Sequence, residues 1–182
     1  MCDQLRWDYL SCAGHPGLKT PHIDALAKRG VQVTHVDAAP SVVKWARRNA
    51  ELSGLADAPI RWIVEDAVRF VGREIKRGRK YDIIVADPPS FGRGPGGETW
   101  KFERDIEILF QDLSQLQSEE LAMLIFSCHT PRFDDRGLQM LAERTFGIKT
   151  MSGATERFGF ELNVSTQSRS LSAGHCFRWI QR

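Results

Sequence analysis

Short apolar runs that stop at acidic residues alternate with amphipathic stretches along most of this chain, and that alternation restricts it to a layered α/β sheet. Val31–Val36 (VQVTHV) reads as a strand that stops at Asp37, Ile60–Val64 (IRWIV) stops at Glu65-Asp66, and Tyr81–Ala86 (YDIIVA) stops at Asp87. Between the first two, Ser41 caps a helix running to about Ser53, closed by Gly54, with Val42, Val43, Ala46, Ala50 and Leu52 as its sheet-facing stripe. A second helix is expected over Ala67–Arg77, with Phe70, Val71 and Ile75 inward, Arg73, Glu74, Lys76 and Arg77 in water, and Gly78 as its stop. The unbroken apolar character of Tyr81–Ala86 fits a strand covered on both faces. Glu103–Leu116 is helical by spacing, Leu121–Ser127 is another buried strand, and Asp134 or Asp135 starts a further helix. The period then drops to two. Phe158, Phe160, Leu162 and Val164 alternate with smaller or polar residues, and Cys176–Ile180 follows as a partner strand joined through Thr166–Gly174. The expected architecture is one open sheet, mostly parallel, with an antiparallel C-terminal edge hairpin.

A chain of 182 residues fits a single domain, 1–182, and 42% hydrophobic residues with ten Phe and five Trp are ample for a core. The formal charge of +2 leaves a nucleic-acid partner open. Two basic clusters, Lys44/Arg47/Arg48 and Arg73/Lys76/Arg77/Arg79/Lys80, read either as solvated helix faces or as phosphate contacts. Cys2, Cys12, Cys128 and Cys176 lack the spacing of a metal site, so no metal is expected. The start carries no secretory signal pattern, and the run Leu121–Phe126 is too short for a bilayer, so the expectation is a cytoplasmic protein with reduced thiols and no membrane association.

In open α/β sheets ligands bind beyond the carboxyl ends of the strands. Asp37, Asp66 and Asp87 each follow a strand, so all three are candidates for one crevice, although each alone would equally make a turn or a helix cap. Asp37 suits a ribose diol, and Asp66 suits a base amino group. Asp87-Pro88-Pro89-Ser90-Phe91 is richer. Two prolines end the ladder, Asp87 can accept from an amide or exocyclic amine, and Phe91 can stack on a planar ring. The plainer reading is a rigid turn with Phe91 tucked into the core. The following Gly92–Gly97 segment suggests a loop that bends sharply.

With these pieces in order, the chain resembles the class I S-adenosylmethionine-dependent methyltransferases, and more narrowly the bacterial 23S rRNA cytosine-C5 enzymes. The matching pieces are Thr34-His35-Val36-Asp37, the Trp45–Leu55 stretch (WARRNAELSGL), Ile60–Ala67, Asp87–Gly94 and Trp100-Lys101. The resemblance covers about residues 31–182. It implies a Rossmann-like sheet of order 3-2-1-4-5-7-6 with its seventh strand antiparallel. It also implies that Asp37 binds the cofactor ribose, Asp66 lies near the adenine, and Asp87 lies near the methionyl group and the substrate. Pro88, Pro89, Phe91, Arg93 and Lys101 are the expected RNA-binding residues. Residues 1–30 are an atypical or truncated start of the cofactor-binding half. Leu5–Cys12 stands where the first strand belongs, and Gly14 and Gly17 stand where a glycine-rich turn should approach the cofactor. The resemblance implies a cysteine that attacks C6 of the cytosine, and Cys128, in Phe126-Ser127-Cys128-His129, is the candidate. Two other readings stay open: methylation of an exocyclic amine, and a non-catalytic RNA-binding or assembly protein on a degenerate methyltransferase fold.

Overall fold

The computed structural model describes residues 32–93, 97, 99–131, 133–163 and 170–182. The expected first strand, Leu5–Cys12, and the turn containing Gly14 and Gly17 lie outside the described residues. The chain divides into two units, Asp3–Phe70 and Val71–Arg182.

In the first unit β1 (Val33–Asp37) and β2 (Ile60–Val64) pair in parallel from Val33↔Ile60 to Asp37↔Val64, joined through α1 (Pro40–Leu52). Pro40 sits in the first turn of α1, where its missing N–H costs nothing. Ser41 is not the cap. Ala39 holds that position, and its N–H donates to Asp37 Oδ1 at 2.6 Å. The inward stripe is also narrower than the spacing suggests. Val43 is buried, but Val42 and Leu52 are exposed, Leu52 by 62%. Leu52 lies nine residues past Val43 and is therefore about half a turn round the helix from it. Buried Asn49 is the inward polar residue instead.

Helix α2 (Ala67–Lys76) begins beside Asp66, whose Oδ1 accepts the Arg69 N–H at 3.0 Å. Phe70 and Val71 are buried as expected. Glu74 corrects the expectation of a wet residue: its side chain is fully buried. It stands one turn beyond Phe70 and Val71, on the same inward face. Its carboxylate accepts from Arg77 Nη1 at 2.9 Å and from the Tyr81 hydroxyl at 2.7 Å, the partners a buried carboxylate requires.

The second unit carries β3 (Ile83–Ala86), β4 (Phe91–Arg93), β5 (Thr99–Lys101), α3 (Phe102–Ser114), β6 (Met123–Cys128), α4 (Asp135–Phe146), β7 (Gly153–Asn163) and β8 (Ser170–Gln181). Its main sheet has the order β3-β6-β8-β7. β3 and β6 are parallel, and β8 is antiparallel to both β6 and β7. The observed pairs β2-β1 and β3-β6-β8-β7 correspond to the 3-2 and 4-5-7-6 portions of the expected order, with the antiparallel edge where the period-two pattern placed it. The core is aromatic. Phe102, Phe110, Phe126 and Phe177 are fully buried, and the Phe110 and Phe126 ring centres are 4.2 Å apart. Helix α3 buries Ile106, Leu109, Phe110 and Leu113, the positions its spacing singles out. Helix α4 is capped by Asp134, whose Oδ1 accepts the Gly137 N–H at 2.8 Å.

Three further expectations change. β3 starts at Ile83, and Tyr81 makes only an isolated bridge to Gln117. Burial of β3 on both faces fails at Val85, which is 66% exposed while its pleat neighbour Ile84 is buried. Ser170–Gly174, expected in the connection, belongs to β8, because the β7–β8 ladder extends from Gly153↔Gln181 to Asn163↔Ser170. At one end of that ladder the backbone comes very close to a side chain. A Cβ at Gly153 would collide with the Trp179 indole, so glycine is what lets this buried ring lie across the strand.

Candidate functional site

Parallel pairing of β3 with β6 keeps a constant offset of 40 residues, ending at Ala86↔Phe126. Prolines 88 and 89 then end the backbone ladder. Side chains continue the register. Ser127 Oγ donates to Asp87 Oδ1 at 2.6 Å, and Thr130 Oγ1 donates to Ser90 Oγ at 3.0 Å, both across the same offset. The Asp87–Ser90 segment and the Ser127–Thr130 segment thus form one rim at the carboxyl ends of the two strands. Thr130 and Pro88 are buried, while Asp87 remains exposed.

A third strand supports this rim. His129 Nε2 lies 3.9 Å from Asp87 Oδ1, beyond hydrogen-bond range but close enough for an ion pair when the imidazole is protonated. The His129 ring and the Cys128 carbonyl press against Gly174 of β8. Gly174 has φ +109°, and a Cβ there would collide with the imidazole and stand 2.6 Å from Cys128 O. Glycine is required at 174 for both reasons.

Cys128 ends β6 on its buried face, in line with Leu124 and Phe126. The thiol donates to Phe133 O at 3.3 Å. Burial, reinforced by the charges of Asp87, Asp134 and Asp135 and opposed by a backbone hydrogen bond at Thr130, pushes its pKa up to about 11. As described, it is a protonated thiol rather than a thiolate at neutral pH.

The glycine-rich segment after the prolines contains a small hairpin absent from the sequence reading. β4 and β5 pair antiparallel, with Phe91↔Lys101, Gly92↔Trp100 and Arg93↔Thr99. Trp100 Nε1 donates to Pro89 O at 2.6 Å, and the Phe102 N–H donates to Ser90 O at 3.1 Å. The hairpin is thereby fastened to the proline turn. Phe91 is 51% exposed, which removes the core-buried alternative for this ring. Arg93 and Lys101 are exposed as well.

The remaining strand-end carboxylates are in the first unit. Asp37 is half-buried and uses Oδ1 on the Ala39 amide, and among the described residues no hydrogen bond occupies Oδ2, an oxygen able to accept from a hydroxyl. Asp66 is half-buried and uses Oδ1 on the Arg69 amide. Each carboxylate thus spends one oxygen on an amide close by in sequence and has a second oxygen able to accept. Behind Asp37, His35 is held below its ordinary pKa by burial, with the Asp37 charge opposing, and its ring lies 5.3 Å from that of Trp62. Gly14 and Gly17 lie outside the described residues. Ser127, Thr130, Trp100 and Gly174 were absent from the sequence-derived site. The signal for the first two is the equal spacing 87–90 and 127–130 on two strands that pair in parallel.

No family model matches the chain. Residue-level similarity is nevertheless clear. The chain is 36% identical over 69 residues to the ribosomal RNA large subunit methyltransferase I of Aeromonas salmonicida, covering 38% of this chain and 17% of that protein. It is 32% identical over 127 residues to the large subunit methyltransferase K/L of Allochromatium vinosum, covering 69% of this chain and 17% of that protein. Among solved structures, the SAM-dependent methyltransferase from Agrobacterium tumefaciens superposes with a TM-score of 0.74 at 34% identity, over 86% of this chain and 51% of that one. A second solved chain, complexed with SAH, superposes with a TM-score of 0.62 at 22% identity, over 81% of this chain and 38% of that one. The chain thus spans only about a sixth of these two curated relatives and about half of the Agrobacterium protein. Its fold is the Rossmann-like class I methyltransferase fold, and its sequence is related to the bacterial large-subunit rRNA methyltransferases. Among the described residues no helix is long and apolar enough to cross a membrane.

Proposed function

We propose that residues 1–182 form a methyltransferase-like domain that methylates a base in RNA, with cytosine C5 of rRNA as the target, and that it acts in the cytoplasm. The observation that carries this reading is Asp87, an exposed carboxylate fixed by Ser127 at the mouth of the β3–β6 pair, in a chain similar to rRNA methyltransferases. S-adenosylmethionine supplies an electrophilic methyl group when bound, and S-adenosylhomocysteine is the by-product. Asp37 would hold the ribose diol and Asp66 the adenine, and the resemblance assigns Gly14 and Gly17 to the cofactor as well. Asp87 would orient the methionyl group and the target base, while Pro88 and Pro89 fix the direction of the turn. Phe91, Arg93 and Lys101 take the RNA. Most of the rate enhancement assigned to these groups is orientation of the reacting atoms.

For cytosine C5, Cys128 must leave the Phe133 carbonyl and attack C6 as a thiolate. C5 would then take the methyl group, and a base would remove the C5 proton as the C6–S bond breaks and the thiolate leaves. The burial and raised pKa of Cys128 favour a second reading, in which Asp87 accepts an N–H of an exocyclic amine and the amine nitrogen is the nucleophile. Calorimetry with S-adenosylmethionine tests the shared premise, and absence of binding at millimolar ligand by folded protein rejects an enzyme. Labelled-methyl transfer to unmodified rRNA, followed by nucleoside analysis, identifies the atom. Cys128→Ala that abolishes transfer but retains cofactor binding selects C5, whereas unchanged turnover selects the amine.

A further inference from the structure

The β4–β5 hairpin has two chemically different faces. Strand residues alternate, so Gly92 and its partner Trp100 share one face, while Phe91, Arg93, Thr99 and Lys101 share the other. The first face rests on the proline turn. Trp100 Nε1 is bonded to Pro89 O, and a Cβ at Gly92 would touch Pro89 Cγ at 3.7 Å. All four residues of the second face are exposed. Phe91 and Lys101 are directly opposite each other, as are Arg93 and Thr99, so an aromatic ring is flanked by two cations within one short cross-strand array. Among the described residues neither Arg93 nor Lys101 has an acidic side chain bound to it. Of the acids nearest in sequence, Glu98 lies outside the described residues and Glu103 and Asp105 are on α3. Asp105 there is occupied by Arg104 and by the Lys101 amide, and Glu103 is exposed in the first turn.

A half-exposed aromatic ring between two exposed cations matches the repeat of a single-stranded polynucleotide, in which unstacked bases alternate with phosphates. A duplex hides its base faces, and an acidic peptide has no built-in alternation of planar rings with charges to match Phe91 and its two cations. We propose that the outward face of the β4–β5 hairpin is a docking platform for single-stranded RNA: Phe91 stacks under a base neighbouring the modified one, and Arg93 and Lys101 hold the flanking phosphates. The base on Phe91 is a neighbour rather than the target, because Phe91 lies on the face turned away from the proline turn that carries Asp87. Fastening of the opposite face through Trp100 and Phe102 makes the platform preformed, so little ordering accompanies binding. The inference deepens the RNA-methylation reading and rests on it for the identity of the nucleic acid.

The test is fluorescence anisotropy of a labelled, unstructured twelve-residue oligoribonucleotide against the full chain, with a duplex of the same length as competitor. The single strand is expected to bind and the duplex to compete poorly. Phe91→Ala weakens binding roughly tenfold, within the range of one lost base–aromatic stack. Arg93→Gln with Lys101→Gln lowers the magnitude of the salt-dependence slope by about 1.4, from about 0.7 per phosphate contact on a single strand. Wild-type affinity in both variants, equal competition by the duplex, or no single-strand binding at low salt overturns the proposal. Calorimetry with S-adenosylmethionine on the same samples separates the two ideas. Hairpin-dependent RNA binding without cofactor binding sinks the methyltransferase reading and keeps the platform, and cofactor binding with hairpin-independent RNA affinity does the reverse.

Discussion

Asp37 and Asp66 differ from Asp87 in what their carboxylates hold. The first two reach amides two and three residues ahead, and the second of them caps a helix. Asp87 reaches a hydroxyl 40 residues away on the neighbouring strand. Identical residues at equivalent strand ends thus serve local chain direction in one unit and long-range assembly of a rim in the other. A carboxylate held by an amide of its own turn keeps its position when distant parts of the molecule change. One held across strands depends on everything that sets the register between them.

The sharpest way to break this contrast is Asp87→Asn. It is expected to lower methyl transfer by about a hundredfold to a thousandfold, the scale of losing an electrostatic group at a reacting centre, while the melting temperature changes little. Labelled-methyl transfer beside a thermal melt checks both halves, and an active variant would demote Asp87 to a turn residue. Next in size is the alkaline response of Cys128 beneath the rim. Its folded pKa of about 11 lies above the ordinary thiol value of 9.0, so its contribution to stability is constant below about pH 9 and is lost as pH rises toward 11. The slope reaches about 1.4 kcal/mol per pH unit. Denaturant melts of wild type and Cys128→Ser across this window should differ in slope, with Cys176, pushed up to about 12, contributing to both. Gly174→Ala forces a side chain into the His129 ring at a positive φ and should cost about 1–3 kcal/mol. It should also change the His129 imidazole resonances, a spectroscopic mark that destabilisation elsewhere would not produce. The smallest effect belongs to the local class. Asp66→Ala removes a cap worth about 1 kcal/mol, and its melt should shift without altering the Asp87 rim.

Much of this was legible before any coordinates. Strand ends at 64 and 86, the caps of α2 and α4, the inward face of α3 and the antiparallel edge all follow from period and turn chemistry. These features depend on residues close in sequence. Glu74 was misplaced because charge suggested water, although its spacing from Phe70 and Val71 put it inward. Arg77 and, beyond the helix end, Tyr81 supply partners that reconcile the two. The β4–β5 hairpin was hidden because three-residue strands are too short to show a period, and its glycines read as loop. The Ser127–Asp87 and Thr130–Ser90 bonds depend on β3 pairing with β6, which no local pattern encodes.

The shared 40-residue offset of the two rim bonds sets a rule for altering this molecule. Substitutions at 87, 90, 127 or 130 each remove one bond at most. Changing the length of either segment is different in kind: deleting a single residue from 88–89 or from 128–129 leaves one of the two bonds in place and puts the other partner out of step. Loop grafting at this edge should therefore exchange the two segments as a matched pair, counted residue for residue, even though 40 positions of chain separate them.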